Sequence, residues 1–96
     1  MDILQEKPAR ALTEILKSQN GYEDEEIYPS KLSSKISSTY SHTIHIITYL
    51  EKEGYLRKQK VGRKQQLELT QPGEDIAKQL QSIRSDIERL EGGEAA

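Results

Sequence analysis

Three glycines and a proline cut residues 50–74 into pieces that fit only a helix end, a tight hairpin and a helix start. Gly54 follows Lys52 at the end of an apolar-periodic run, where a helix stops most easily. Residues 55–61 and 65–70 are both of strand length. In the second, Leu67 and Leu69 alternate with Gln66 and Glu68. Gly62, Arg63 and Lys64 join the two as a tight basic tip. Pro72 and Gly73 then punctuate, and a last helix is expected over residues 73–90.

The upstream half reads as three helices. Residues 1–7 are expected to form a loose arm or a short docking segment. Pro8 suits the first position of a helix, where a missing N–H is harmless. Leu12, Ile15 and Leu16 give that helix an apolar face, and Asn20 and Gly21 end it. Glu23, Asp24, Glu25 and Glu26 form an acidic loop, and Ile27 and Tyr28 are expected as a short strand. Ser30, after Pro29, is the expected N-cap of a second helix that buries Leu32 and Ile36. Ser37, Ser38 and Thr39 compete for backbone hydrogen bonds, which favours a turn and a new cap. A third helix follows over residues 39–53. There is no internal repeat and no long linker.

The resulting order is helix, short strand, helix, turn, helix, hairpin, helix. It predicts a mainly α fold with one small β-hairpin, a winged helix-turn-helix. Residues 8–72 are expected to form a DNA-binding domain, residues 73–91 a C-terminal coiled-coil dimerisation helix, and residues 92–96 a disordered tail.

Composition narrows the function classes. The chain has 96 residues, one domain's worth, with 33% apolar residues and no Phe or Trp. So small a core is marginal, and burial against a second chain would add to it. There is no cysteine, hence no disulfide and no thiolate metal site. No run approaches the roughly 18 apolar residues of a membrane span, and the N-terminus lacks a secretory pattern. The expected location is cytoplasmic and nucleoid-associated.

A formal net charge of −2 argues against nucleic acid, but its distribution argues the other way. Residues 31–66 hold eight Lys and Arg against two acids, while residues 1–30 and 67–96 each hold three against seven. A basic middle between acidic ends is a local electrostatic footprint that the global charge hides.

Projecting residues 39–53 at about 100° per residue separates two faces. Tyr40, Thr43, Ile47 and Leu50, with Ile46 at the edge, should face the core. Ser41, His42, His45, Thr48, Tyr49 and Lys52 form a polar face free of acids, with Thr39 at its start. Such a face suits base edges and phosphates in a major groove. Arg57, Lys58, Lys60, Arg63 and Lys64 supply phosphate contacts from the hairpin, Arg63 being suited to a narrow minor groove. Lys31 and Lys35, one turn apart, are expected to clamp the DNA backbone.

Three stretches together resemble the MarR-type winged-helix regulators, including short archaeal ones. They are Leu50-Glu51-Lys52-Glu53-Gly54-Tyr55-Leu56, then Val61-Gly62-Arg63-Lys64, then Leu69-Thr70-Gln71-Pro72-Gly73-Glu74. That family shows a Leu-Glu-x-x-Gly end to its recognition helix and a Leu-Thr-x-x-Gly exit from its wing. With the upstream helices the resemblance spans residues 8–80. It implies DNA-binding roles for Ser41, His42, His45 and Arg63. The chain departs from the family in having Thr43 at a usually apolar position and in lacking an extra helix before residue 8. A ligand pocket does not carry over.

Ile76, Leu80, Ile83, Ile87 and Leu90 are spaced 4, 3, 4 and 3, an a/d heptad seam with only polar residues between them from Lys78 onward. Two such helices, parallel or antiparallel, would pair and present two reading heads to a palindromic site. The chain is therefore read as a sequence-specific homodimeric repressor of transcription, binding double-stranded DNA. No catalytic residues, metal, cofactor or small-molecule substrate are expected. His42 and His45, the only histidines, lie i, i+3 with no carboxylate on their face, short of the three or four ligands a metal needs. If their protonation contributes to binding, affinity for DNA should vary between pH 5.5 and 8. A winged-helix protein adaptor and a DNA-coating architectural protein are the alternatives that the sequence leaves open.

Overall fold

The computed structural model describes residues 1–19 and 26–92, with side chains as far as Leu90. Its elements run α1 (Glu6–Gln19), α2 (Pro29–Lys35), α3 (Tyr40–Lys52), β1 (Leu56–Val61), β2 (Lys64–Leu69) and α4 (Gln71–Gly92). The order is that of a winged helix. The proposed end of the first helix at Asn20 and Gly21, the acids Glu23 to Glu25, and the tail after Gly92 lie outside the described residues.

The N-terminal segment is folded rather than loose. Asp2 and Gln5 exchange backbone and side-chain hydrogen bonds, and Ile3 packs against the core. Helix α1 therefore begins at Glu6, two residues before Pro8. Pro8 remains within the first turn, where no intrahelical N–H bond is forfeited. Beyond it Leu12, Ile15 and Leu16 are fully buried, as their spacing predicts.

Helix α2 starts at Pro29 with Tyr28 as its N-cap, so Ser30 is not the cap. Proline at N1 supplies the entry angle itself, and no side chain caps this end. Ile27 and Tyr28 do not form a strand. The Ile27 carbonyl instead accepts one hydrogen bond from Leu67 N (2.8 Å), and Pro29 leaves no room for a second rung. Leu32 and Ile36 are fully buried.

Both ends of α3 are defined by hydrogen bonds. Thr39 Oγ1 accepts from His42 N at 3.1 Å, the N-cap bond that serine and threonine make best. At the other end Gly54 has φ +84°; Gly54 N donates to Glu51 O (3.1 Å) and Tyr55 N to Leu50 O (2.9 Å). That pair is a Schellman motif, which requires a left-handed residue at the Gly54 position. Thr43, Ile46, Ile47 and Leu50 are buried. Ile46 lies at the centre of the buried face, whereas Tyr40, expected inside, is 56% exposed. Thr43 fits an apolar site because its hydroxyl donates to Thr39 O at 2.8 Å.

The hairpin is antiparallel, in register from Leu56 with Leu69 to Val61 with Lys64. Its turn is two residues, Gly62 and Arg63, with only Gly62 at positive φ, as in a type II′ turn. Leu56, Leu67 and Leu69 are buried at its root, and the rest of β1 is exposed. Gln19 Oε1 accepts from Leu69 N, tying the end of α1 to this root.

Helix α4 is capped by Thr70, whose Oγ1 accepts from Gly73 N (3.2 Å) and donates to Gly54 O (2.5 Å). Its first half packs along α1, burying Ala77 and Leu80 with Ile76 at the edge. A Cβ on Gly73 would overlap the Tyr55 carbonyl, and so the helix start and the link between α3 and β1 touch backbone to backbone. In a helix, Gly→Ala ordinarily adds up to about 1 kcal/mol of stability. Here the sign should reverse. Gly73→Ala is expected to destabilise by about 1–3 kcal/mol, an overpacking cost, measured from the urea midpoint at constant m.

Candidate nucleic-acid interface

Helix α3 is presented by the turn that precedes it. Helix α2 ends in a second Schellman arrangement: Ser37 N donates to Ser34 O (3.3 Å) and Ser38 N to Ser33 O (3.0 Å), with Ser37 at φ +53°. Two cations of α1 reach this helix end. Lys7 Nζ donates to Ser37 O (2.7 Å) and Arg10 Nη2 to Lys35 O (3.0 Å). Positive charge at the carbonyl end of a helix is favourable, so α1 fixes the turn from behind. Nothing in the periodicity singled out Lys7 and Arg10; the only trace is their i, i+3 spacing on one side of α1.

Ser41, His42, His45, Thr48 and Lys52 are exposed together on the outer side of α3. The acids of this helix end flank that face, and Glu51 is bound to Lys58 across to β1 at 3.4 Å. Thr39 stands at its start, but its hydroxyl oxygen is engaged as the cap. Tyr49 does not belong to the face. It is half-buried and packs against the core. Burial, with the carboxylates of Glu53 and Asp2 nearby, raises the titration of its phenol above the ordinary range, so it stays protonated. In its place Ile44, overlooked in the projection, is exposed.

The basic residues divide by their partners. Arg57 is paired with Glu68 (3.4 Å) and Lys58 with Glu51. Lys64 and Lys31 both lie over the ring of Tyr28, at 4.6 and 4.9 Å from its centroid. Lys31 also donates to Glu26 O, and Lys35 is half-buried at the α2 end that Arg10 caps. Lys52, Lys60 and Arg63 are exposed, and among the described residues no carboxylate lies within ion-pair distance of them. Tyr28 thus joins the start of α2 to β2, a role that no sequence pattern marked. Among the described residues no His, Asp or Glu cluster could hold a metal, and no helix is long and apolar enough to cross a membrane.

The heptad positions part company along α4. Ile76 and Leu80 serve the chain's own core, whereas Ile83, Ile87 and Leu90 are 53%, 47% and 62% exposed. The expectation of a seam facing a second chain throughout is thereby corrected for its first half. The small Ala77 lets α4 approach α1 closely enough to bury the residues beside it.

The sequence matches the DUF6293 C-terminal winged helix domain over residues 2–81. The chain belongs to this winged-helix family. Among solved structures it is similar to AF1382 from Archaeoglobus fulgidus, with 28% identity, a TM-score of 0.80, and 88% of this chain matched to 91% of that one. It is also similar to MepR, a transcription regulator of the Staphylococcus aureus multidrug efflux pump MepA. There the identity is 13% and the TM-score 0.76, over 92% of this chain and 63% of that one. SPO1453, a MarR family transcriptional regulator from Silicibacter pomeroyi DSS-3, matches at 19% identity and a TM-score of 0.72, over 91% of this chain and 60% of that one. The winged-helix chain therefore spans less than two-thirds of these last two proteins, and its likeness to them is one of fold. No curated protein matches it in sequence.

In this family's terms α2 and α3 form the helix-turn-helix, and β1 and β2 the wing. Presentation of α3 rests on its cap. Thr39→Ala is expected to cost about 1 kcal/mol and Thr39→Ser much less, as read from thermal or urea unfolding. Equal stability of all three proteins would show that the cap bond does not hold this helix end.

Proposed function

We propose that this winged helix is a sequence-specific double-stranded-DNA-binding regulator of transcription, acting as a homodimer that represses by occupying its site. One observation carries the reading. The exposed face of Ser41, His42, His45, Thr48 and Lys52 stands beside a wing whose Lys60 and Arg63 have, among the described residues, no carboxylate within ion-pair distance. Hydroxyls, imidazoles and an ammonium on a helix of major-groove size can bond base edges. Unneutralised cations on a hairpin beside it can meet phosphates or enter the minor groove. Arg57, Lys58, Lys64, Lys31 and Lys35 add to the field while holding local partners. Their exposed pairings are worth at most about 1 kcal/mol and can be exchanged for phosphate. The role proposed is one of binding, without catalysis.

Dimerisation is assigned to the outer half of α4. Ile83, Ile87 and Leu90 continue a coiled-coil spacing beyond the body of the domain. A groove of about 320 Å³ beside Ile83, lined also by Leu4, Ala9 and Leu80, extends that apolar surface towards the N-terminal turn. In this reading residues 8–72 form the reading head, and the helix of residues 73–91 supports it with one half and pairs with the other.

Selection from random-sequence DNA at moderate salt is the direct test. The expected product is a palindrome with half-sites about one helical turn, roughly 10 base pairs, apart. Retention without enrichment would replace the reading by a coating protein, and no retention even at low salt would leave a protein adaptor. Lys60→Ala and Arg63→Ala, each present twice in the dimer, should each lower the slope of log K against log salt by about two, whereas Arg57→Ala, already shared with Glu68, should change it less. Ile87→Asp is expected to convert the dimer to a folded monomer in sedimentation. A monomeric parent protein would overturn the dimer.

A further inference from the structure

Tyr40 and Ile44 are the exposed large hydrophobics of α3, at 56% and 36%, and the core does not use them. Thr43, Ile46, Ile47 and Leu50 complete the buried side of the helix without their help. The two are one turn apart, i and i+4, and so form a single apolar step on the surface. The flank they occupy is the one that carries Glu51, and Glu51 is bound to Lys58 of β1. The step therefore lies between the polar reading face and the wing. By helical projection Ile44 sits about 40–60° from Thr48 and Ser41, on the margin of that face. Helical side chains lean towards the N-terminus, which carries Ile44 over the Tyr40–Ser41 turn. In helix-turn-helix proteins this N-terminal part of the helix meets base edges.

We infer that Ile44, backed by Tyr40, reads a thymine methyl group in each half-site of the DNA. This rests on the DNA-binding role proposed above and adds the base it selects. The first turn of α3 carries no acid, so nothing there repels the duplex. Within the major groove the thymine C5-methyl is the one apolar feature, and an aliphatic side chain flanked by hydroxyls is its natural complement. Two side chains offer too little area for a stable protein partner, which needs on the order of 800 Å² from each side. Neighbouring hydroxyls and imidazoles would fix the base pair next to the methyl, and Ile44 would distinguish thymine from cytosine at its own position.

The test uses the full chain and the site that selection returns. Each thymine is replaced in turn by uracil, which removes the methyl and nothing else, so that the protein's folding is not in question. One position per half-site should lose affinity about fourfold, the worth of one buried methyl, and the symmetric double replacement about fifteenfold. Ile44→Ala should bind the thymine site more weakly by a similar factor and the uracil site no differently from the parent, closing a double-mutant cycle. The inference is overturned, with DNA binding intact, if no uracil replacement matters or if Ile44→Ala weakens both sites equally. Loss of all DNA retention would overturn this inference together with the role on which it rests.

Discussion

The structure depends on the four residues between α2 and α3. Ser37 takes a left-handed conformation that an L-residue reaches only at a cost of about 1–2 kcal/mol. Glycine is the usual occupant, and serine is held there by its surroundings. The two Schellman bonds, the Lys7 and Arg10 donations to carbonyls of the α2 end, and the Ser33 hydroxyl on Ser38 O (2.6 Å) all close on this point. Thr39 then caps α3 immediately after. A helix whose outer face is to recognise anything must leave its body at a fixed angle. Here that angle is set by a cluster of backbone carbonyls, each given a donor, and not by burial alone. The donors from α1 matter most, because they transmit the position of the core helix to the turn.

How legible this was from sequence depended on whether the governing interaction is local. Helix ends at Gly54, the hairpin tip at Gly62, the turn over Ser37 to Thr39 and the burial of Leu32, Ile36, Leu67 and Leu69 all follow from neighbours in the chain, and the residues announce them. Apart from that of Ser30, the misplacements share one cause: tertiary contact. Ser30 is a good cap in isolation, but Pro29 begins the helix one residue earlier. Ile27 has strand character, yet the single rung that β2 offers it is not a strand. Tyr40 and Tyr49 exchanged roles because a projection places residues by angle alone and has no knowledge of the neighbours. The N-terminal turn supplies a surface for Tyr49, whereas Tyr40 stays 56% exposed. Tyr28, Lys7 and Arg10 act across 25 or more residues of chain, where periodicity carries no information.

Helix α4 shows how one spacing can serve two surfaces. An a/d pattern marks a stripe of apolar residues, but not what will cover it. Where Ala77 lies beside Ile76 and Leu80, the stripe widens into the broad face a globular core prefers, and α1 covers it. Beyond Leu80 the flanking residues are all polar, and the stripe narrows to the width of a single helix seam. The same helix is thus a core element for its first half and a projecting arm for its second. That division ties the two functions proposed for the chain together, since the arm that would pair two copies is continuous with the packing that holds each reading head. The backbone contact of Gly73 with Tyr55 fixes the start of that helix against the link between α3 and β1, and so the separation of two heads would follow from the geometry of one helix start.

The charge pattern gains meaning only when the partners are known. Eight cations in residues 31–66 look like one basic patch. In the folded chain they separate into a group that builds the domain and a group that does not. Lys31 and Lys64 sit on Tyr28 and Lys58 holds Glu51, contacts that stitch the wing to α2 and α3, while Arg57 holds Glu68 within the wing and Lys35 lies half-buried at the end of α2. Among the described residues Lys52, Lys60 and Arg63 make no such contact. They stand exposed at the end of α3 and along the outer wing. An acidic duplex lying against both elements would meet those charges first. The hydroxyl and imidazole face of α3 would come within bonding distance next. A chain of net negative charge can bind a polyanion on these terms because its acids are concentrated at the two ends of the sequence, while the field that a ligand meets is set by the residues nearest to it.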